Sequence, residues 1–527
     1  MIDRKNIRIT RAATAYVAVA LFVGAIGIGA CVGDDPAGPG GDGSDSGSDA
    51  ITSGDGSNLG DGSSGGDSCT GTTTCGADTC VDLQSDSNHC GTCDVACKTS
   101  AGTSFSCVKG ICGNKVVQIS AGQTQSCALL LDGTVWCWGS QASGQTGVIS
   151  ADGTAAPQKI SVLANIVEVY AFGSSACARD NNGDVFCWGD NGNGETGQTV
   201  GLDPGCGGTC NPTPKKVTLP EKAAQLTGSL EVACMRSAGG NVYCWGRNSS
   251  DILNLGGDVD LKSSSPVKIG VFNNDVVDLD VGYTDYGSPG IHALGCAIRS
   301  DKTLWCWGSN TATYYEAGHT AGGGTPADIG CSGVGTTGYN CNPTPQQVLD
   351  LDAGAFGNAS MVRTRNKGGC VLRGDKSVWC WGANSGGELG IGSLSVSPQP
   401  VPLLTLLDAG MEQIETSDLV TFSVDSAGQV YDWGDTTGAG LLGTGDYQPY
   451  QTGTPTKLPL LTGIKQISAM SDHGMALKTD GTIVLWGSNG FAKLGHAGGT
   501  NGDSLCQPGD AGNCNPTPQL LVNPPWQ

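Results

Sequence analysis

The sequence predicts an all-β protein whose main body is a seven-bladed β-propeller of four-stranded blades. Three recurring series predict it. Trp-Gly pairs stand at Trp138, Trp188, Trp245, Trp307, Trp381, Trp433 and Trp486, spaced 50, 57, 62, 74, 52 and 53 residues apart. A Pro-x-x-aliphatic marker also occurs seven times, from Pro157 with Ile160 to Pro518 with Leu521. Cysteines recur in pairs ten residues apart, the second directly before the Trp-Gly. Such periodicity marks units that bury their apolar faces only by stacking on their neighbours. The first Trp-Gly has no Pro marker ahead of it, and the last Pro marker has no Trp-Gly behind it. The Pro segments are therefore expected to be first strands of blades, because Pro can begin a strand but not sit centrally in one. The offset then predicts closure by the C-terminal strand, which would complete the sheet begun at Val116.

Composition agrees with a loop-rich β protein. Of 527 residues 86 are Gly, and only 14% are charged. The net charge of −22 argues against binding to nucleic acid, which needs Lys and Arg to neutralise phosphates. It also disfavours docking on anionic lipid.

The N-terminal segment, residues 1–31, reads as an export signal. Arg4, Lys5, Arg8 and Arg11 precede an uncharged run from Ala12 to Ala30. The run ends Ile28-Gly29-Ala30-Cys31, which resembles the bacterial lipobox, where the Cys is lipidated and becomes the mature N-terminus. The alternatives are an uncleaved membrane anchor or an ordinary cleaved signal. The expected location is the cell envelope or extracellular surface, with the membrane reached only through this lipid or anchor. Residues 32–67 are almost wholly Gly, Ser and Asp. They cannot bury a core and are expected to form a disordered tether.

Residues 68–113 form a separate module with eight cysteines between Cys69 and Cys112. So few apolar side chains require cross-links for stability. His89, Cys90, Cys93 and Cys97 have metal-ligand spacing, so zinc is the alternative to four disulfides. Export favours disulfides, since thiols stay reduced in the cytosol. The chain has 25 cysteines: Cys31, eight in the module and sixteen in the repeats.

Residues 114–527 make the propeller. In its first unit, Cys127 to Cys137 reads as two strands around Leu131-Asp132-Gly133, with Gly in the left-handed third position. Cys127 then faces Cys137 within disulfide range. The same offset joins Cys177 with Cys187, Cys234 with Cys244, Cys296 with Cys306, and Cys370 with Cys380. Two units lack both cysteines, having Phe422 with Asp432 and Met475 with Leu485. Joint presence and joint absence is what a disulfide at these positions requires. Lys302 and Lys376 replace the loop Gly in two units, so those turns are expected to be strained or of another type.

Three enlarged loops carry further pairs: Cys206 with Cys210, Cys331 with Cys341, and Cys506 with Cys514. Each closing Cys runs into Asn-Pro-Thr-Pro. Equivalent loops emerge on one propeller face, and a stapled loop loses less entropy on binding. The other explanation is protection of long loops from proteolysis.

The segments Trp188 to Gly197 and Trp381 to Gly390 resemble the repeat of the regulator-of-chromosome-condensation family. The resemblance spans about Val116 to Val522. It implies a propeller whose face grips a protein; functions vary across the family and do not follow from the fold.

No catalytic motif is present, and the five histidines, His89, His292, His319, His473 and His496, occupy unrelated repeat positions. No catalytic residue, cofactor or metal is expected. Asp190 to Glu195 mimics part of a calcium loop but coincides with the Gly-rich turn of every repeat. Trp136, Trp305 and Trp379 share a strand face with the Trp-Gly tryptophans and are expected to pack rather than stack on sugar. The expected role is a non-catalytic, monomeric surface scaffold for an unidentified protein partner. The rival is a carbohydrate-binding or enzymatic propeller, and a remote third is GTPase nucleotide exchange.

Overall fold

The computed structural model describes residues 116–520 except 151–152, 202–208, 257–260, 286–290, 321–328, 331–339, 395–396, 436–440, 442, 445–450 and 506–512, together with parts of 73–115 and 521–526. The chain divides into Met1–Asp67 and Ser68–Gln527. The signal segment, Cys31 and the tether lie outside the described residues. In the cysteine module, Cys90 is bonded to Cys107, and Cys93 and Cys97 are also in disulfides. The sulfurs of Cys90, Cys97 and Cys107 lie close together, but as disulfides they are not metal ligands.

Seven antiparallel sheets follow, each built on a meander of four strands and two of them carrying a short fifth, with no α-helix among the described residues. The first blade comprises Val116–Ala121, Gln125–Leu130, Val135–Gly139 and Thr154–Lys159. The last comprises Ile464–Met470, His473–Lys478, Ile483–Ser488 and Asn513–Leu520.

This topology corrects the expected closure. Thr154–Lys159, which contains Pro157, pairs with Val135–Gly139, so it is the fourth strand of its own blade. The C-terminal strand pairs with Ile483–Ser488 and completes the seventh blade. Pro lacks an N–H and is tolerated at a sheet edge; the Pro markers lie in the fourth strand of each blade, and where a short fifth strand is added it pairs only with residues ahead of the prolines. Every blade is thus complete within its own sequence.

The ring closes through side chains. Val116, Ile119, Leu130 and Trp138 of the first blade share one apolar cluster with Met475, Leu477, Ile483, Leu485 and Leu521 of the last. Beyond the final strand, Trp526 packs on Trp136 with ring centroids 5.5 Å apart.

The repeat residues have common roles. The seven Trp-Gly tryptophans are fully buried. Each donates its indole N–H to a main-chain carbonyl in the loop of the preceding blade. The acceptors are Lys493, Gln145, Glu195, Ile252, Glu316, Glu388 and Leu441 in ring order, at 2.6–3.0 Å. The following glycine is required by close approach. Gly139 has φ +114°, and a Cβ there would lie 2.6 Å from the Thr124 carbonyl oxygen. Gly434 is tighter still, with Leu419 O at 2.0 Å.

Hairpin register places Cys127 opposite Cys137, and a disulfide joins them with Cα atoms 4.1 Å apart. Cys177–Cys187, Cys234–Cys244, Cys296–Cys306 and Cys370–Cys380 repeat this geometry. Lys302 and Lys376 adopt φ +69° and +67°, the left-handed conformation that Gly133 takes at +83°, so the turn type is kept at a steric cost. Asp132 Oδ1 accepts from both the backbone N–H and the hydroxyl of Thr134, fixing the turn.

Candidate functional site

The first strand of each blade lines a central channel, where a β-bulge recurs in all seven blades. Beyond the bulge, polar side chains alternate with a buried aliphatic one. These polar groups hydrogen-bond across the blade seams. Gln118 Oε1 accepts from Val169 N–H at 2.9 Å, and Glu168 Oε1 from Leu226 N–H at 2.9 Å. Asp278 Oδ2 accepts from Val362 N–H at 2.8 Å, Gln413 Oε1 from Ile467 N–H at 3.1 Å, and Gln466 Oε1 from Ile119 N–H at 3.0 Å. Two residues further on, Ser120, Thr227, Asp280 and Ser468 accept from Ala171, Val281, Thr364 and Ala121 N–H groups.

The fifth blade breaks the pattern with Met361 and follows it with Arg363. This guanidinium lies 3.6 Å from Asp278 and 3.7 Å from Glu415. Burial opposes its charge, but Asp278, Asp280 and Glu415 hold its proton and raise its affinity for it. The channel encloses a cavity of about 170 Å³. Its polar side chains bond one another across blades, as where Asp280 accepts from the hydroxyls of Thr227 and Thr364, an arrangement that ties the ring together.

In an antiparallel meander the turns between strands one and two, and between three and four, emerge at the same end. The other end carries the Asp132-type turns and the links between blades. On the first of these faces the fourth blade has a longer inner hairpin, Val276–Asp285 with Ile291–Arg299. It carries Tyr283 across the channel mouth, where its hydroxyl bonds Asp418 of the sixth blade and lies 3.3 Å from Ser471 of the seventh.

The enlarged cysteine loops return to this same face. Cys210 pairs with Asp190, Cys341 with Ser309 and Cys514 with Ser488, each the residue after a Trp-Gly. All three are disulfide-bonded. Cys206, Cys331 and Cys506, their expected partners, lie outside the described residues. In the fourth and seventh blades the loop adds a short fifth strand, Ile329–Gly330 or Ser504–Leu505, along the edge beside the closing Cys.

The other sequence candidates have structural partners. In the Asp190 to Glu195 turn, Asp190 accepts from Gly192 N–H and Glu195 from Asn193 N–H, so both acids face their own backbone. Burial, reinforced by Asp190, pushes Glu195 up to about 8. Trp305 and Trp379 lie beneath the Arg299 and Arg373 guanidinium groups, at 5.0 and 5.3 Å. His473 lies 3.0 Å from Ser126, His292 3.0 Å from Ser250, and His496 2.7 Å from Asp503.

Sequence reasoning missed the channel belt and Tyr283. A signal for the belt was present: a polar residue precedes the central aliphatic residue in six units, as in Gln118-Ile119, Glu168-Val169, Gln225-Leu226, Asp278-Leu279, Gln413-Ile414 and Gln466-Ile467.

Comparison with known proteins points one way. Residues 116–145 match the family model of the regulator of chromosome condensation (RCC1) repeat. The human probable E3 ubiquitin-protein ligase HERC6 is 32% identical over 162 residues, covering 30% of this chain and 15% of the ligase. The Arabidopsis thaliana ultraviolet-B receptor UVR8 is 28% identical over 155 residues, 29% of this chain and 34% of the receptor. These matches therefore span only a minor part of either relative. Among solved structures, yeast RCC1 (Prp20) bound to Kap60 superposes with TM-score 0.55 at 16% identity, covering 74% of this chain and 83% of that one. Human WBSCR16 gives TM-score 0.55 at 16% identity, with 71% and 88% covered. At such identity the likeness is one of fold.

Proposed function

We propose that the chain, whose residues 116–145 match the regulator of chromosome condensation (RCC1) repeat model, is a non-catalytic scaffold that binds a protein partner through its propeller-face loops. One observation carries the reading: Cys210, Cys341 and Cys514, the disulfide-bonded residues at which the enlarged loops of the second, fourth and seventh blades end, stand at equivalent register positions on one face. Loops ordered before binding lose less entropy when a partner arrives. Tyr283 closes over the channel mouth on that face, which directs recognition to the rim. The cysteine content and the Cys31 segment support display at a cell surface on a lipid anchor.

Affinity capture with the full chain tests this. Replacing the three cysteine pairs, Cys206 with Cys210, Cys331 with Cys341 and Cys506 with Cys514, by serine should abolish capture while the ring still melts cooperatively. A partner held equally well without the staples would sink the loop reading. The carbohydrate rival is disfavoured because Trp136, Trp305 and Trp379 are each covered by another side chain. A glycan array signal lost on one aromatic substitution would favour it instead.

A further inference from the structure

One blade seam is chemically unlike the others, and it is the one no inter-blade link spans, between the last and first blades. Opposite the Trp-Gly tryptophan, six blades have Ala176, Ala233, Gly295, Gly369, Thr421 or Gly474, whereas the first has Ser126. Ser126 donates its hydroxyl proton to the Lys493 carbonyl at 2.9 Å, the same oxygen that accepts from Trp138. Its oxygen also lies 3.0 Å from Nε2 of His473, and both residues are fully buried. With the serine proton directed at the carbonyl, Nε2 must be the donor, so Nδ1 is the position open to a second proton. Nδ1 is buried and makes no well-formed hydrogen bond, the Met470 carbonyl acting on the ring only weakly. It lies 4.0 Å from the Asp472 carboxylate, which is already paired with the buried Lys493 ammonium. From the first blade, the Ser126 hydroxyl meets His473 and the Gln123 carbonyl accepts from Lys493 Nζ at 3.3 Å, both uncharged groups.

We propose that this seam is a proton-operated latch: protonation of His473 at Nδ1 opens the ring between its last and first blades before any other seam. A second cation would stand beside Lys493 with one carboxylate to share. Burial, and then Lys493, hold the imidazole well below its ordinary value, against a weaker opposing effect of the Met470 carbonyl. A histidine buried neutral contributes stability that is present above its unfolded value of about 6.5 and is lost as pH falls below it. Each unit of further acidification then favours the open seam by up to about tenfold.

Hydrogen exchange on the full chain tests this with an internal control. The Ile119 and Ala121 amides bond Gln466 and Ser468 across the latch seam, and the Val169 and Ala171 amides bond Gln118 and Ser120 across the next one. After correction for intrinsic rates, acidification from about pH 7.5 to about 5 should strip protection from the first pair by at least about tenfold and spare the second. His473→Gln keeps an N–H donor, as Gln125 does at the equivalent place in the first blade, and should hold the seam closed at both pH values. Lys493→Gln, which frees Asp472 to pair with the imidazolium, should move the opening to lower pH. Equal loss at both seams, the same acid loss in His473→Gln, or an unmoved onset in Lys493→Gln would each overturn the proposal.

Discussion

The indole N–H of Trp138 donates to the carbonyl of Lys493 at 2.9 Å, joining the first blade to the last across 355 residues of sequence. Six equivalent bonds run round the ring. Trp138→Phe removes the donor and part of a fully buried side chain. The expected cost is about 2–4 kcal/mol, combining a small cavity with a weakened buried bond. Denaturant unfolding measures it, and a loss below about 1 kcal/mol would mean that the bond has little part in closure.

Asp432 occupies the position where five other blades have a disulfide cysteine. It is buried with neither carboxylate oxygen hydrogen-bonded, and burial pushes its affinity for a proton well up. Asp432→Leu imitates the Met475 and Leu485 pair of the seventh blade and should stabilise the protein by about 1–3 kcal/mol. The double change Phe422→Cys with Asp432→Cys, in the register the native pairs use, should form a sixth hairpin disulfide. Mass mapping of unreduced peptides would show it.

Glu195 sets a pH dependence of known sign. Its folded-state value of about 8 lies above the ordinary 4.5, so the folded protein holds this proton more tightly than the unfolded chain does. The resulting stability is present below about pH 4.5 and is lost as pH rises through about 8, each unit of separation counting for about 1.4 kcal/mol. Glu195→Gln should remove this share of the alkaline decline. The substitution is compatible with the turn, because Gln145 accepts from Ser143 N–H at 2.8 Å in the first blade just as Glu195 accepts from Asn193. Melting temperatures of the two proteins should converge at acid pH and separate above neutrality; parallel profiles would remove Glu195 as the cause.

Removing the residues beyond Asn515 deletes most of the fourth strand of the seventh blade, with Leu521 and Trp526. Hydrogen exchange should then rise in Ile483–Ser488, the strand it pairs with, while Thr154–Lys159 keeps its own pairing with Val135–Gly139. The reverse pattern would restore the closure first read from the sequence.

The sequence analysis reached the fold through features with local causes. The hairpin register was legible because two cysteines ten apart must face each other, and the blade number because a buried Trp-Gly leaves a mark in every unit. Strand order was not. Proline reports that a strand lacks a donor, which suits both the start of a strand and the outside of a sheet, and only the pairing of Thr154–Lys159 with Val135–Gly139 decides between them. The channel belt escaped notice because Gln, Glu and Asp in a strand look like a solvated face; here they reach the backbone of the next blade. Tyr283 was invisible because its partners, Asp418 and Ser471, lie two and three blades away.

That no blade borrows a strand from another has a consequence for how such a chain is made and changed. Each sheet is complete when about fifty residues have left the ribosome, so the first blade need not wait, half-paired and prone to aggregate, for the last. The same independence makes the blade a unit of inheritance. A duplicated or lost segment would change the circumference without altering the pairing of any surviving strand, and only the seam where the two ends meet would have to be fitted anew.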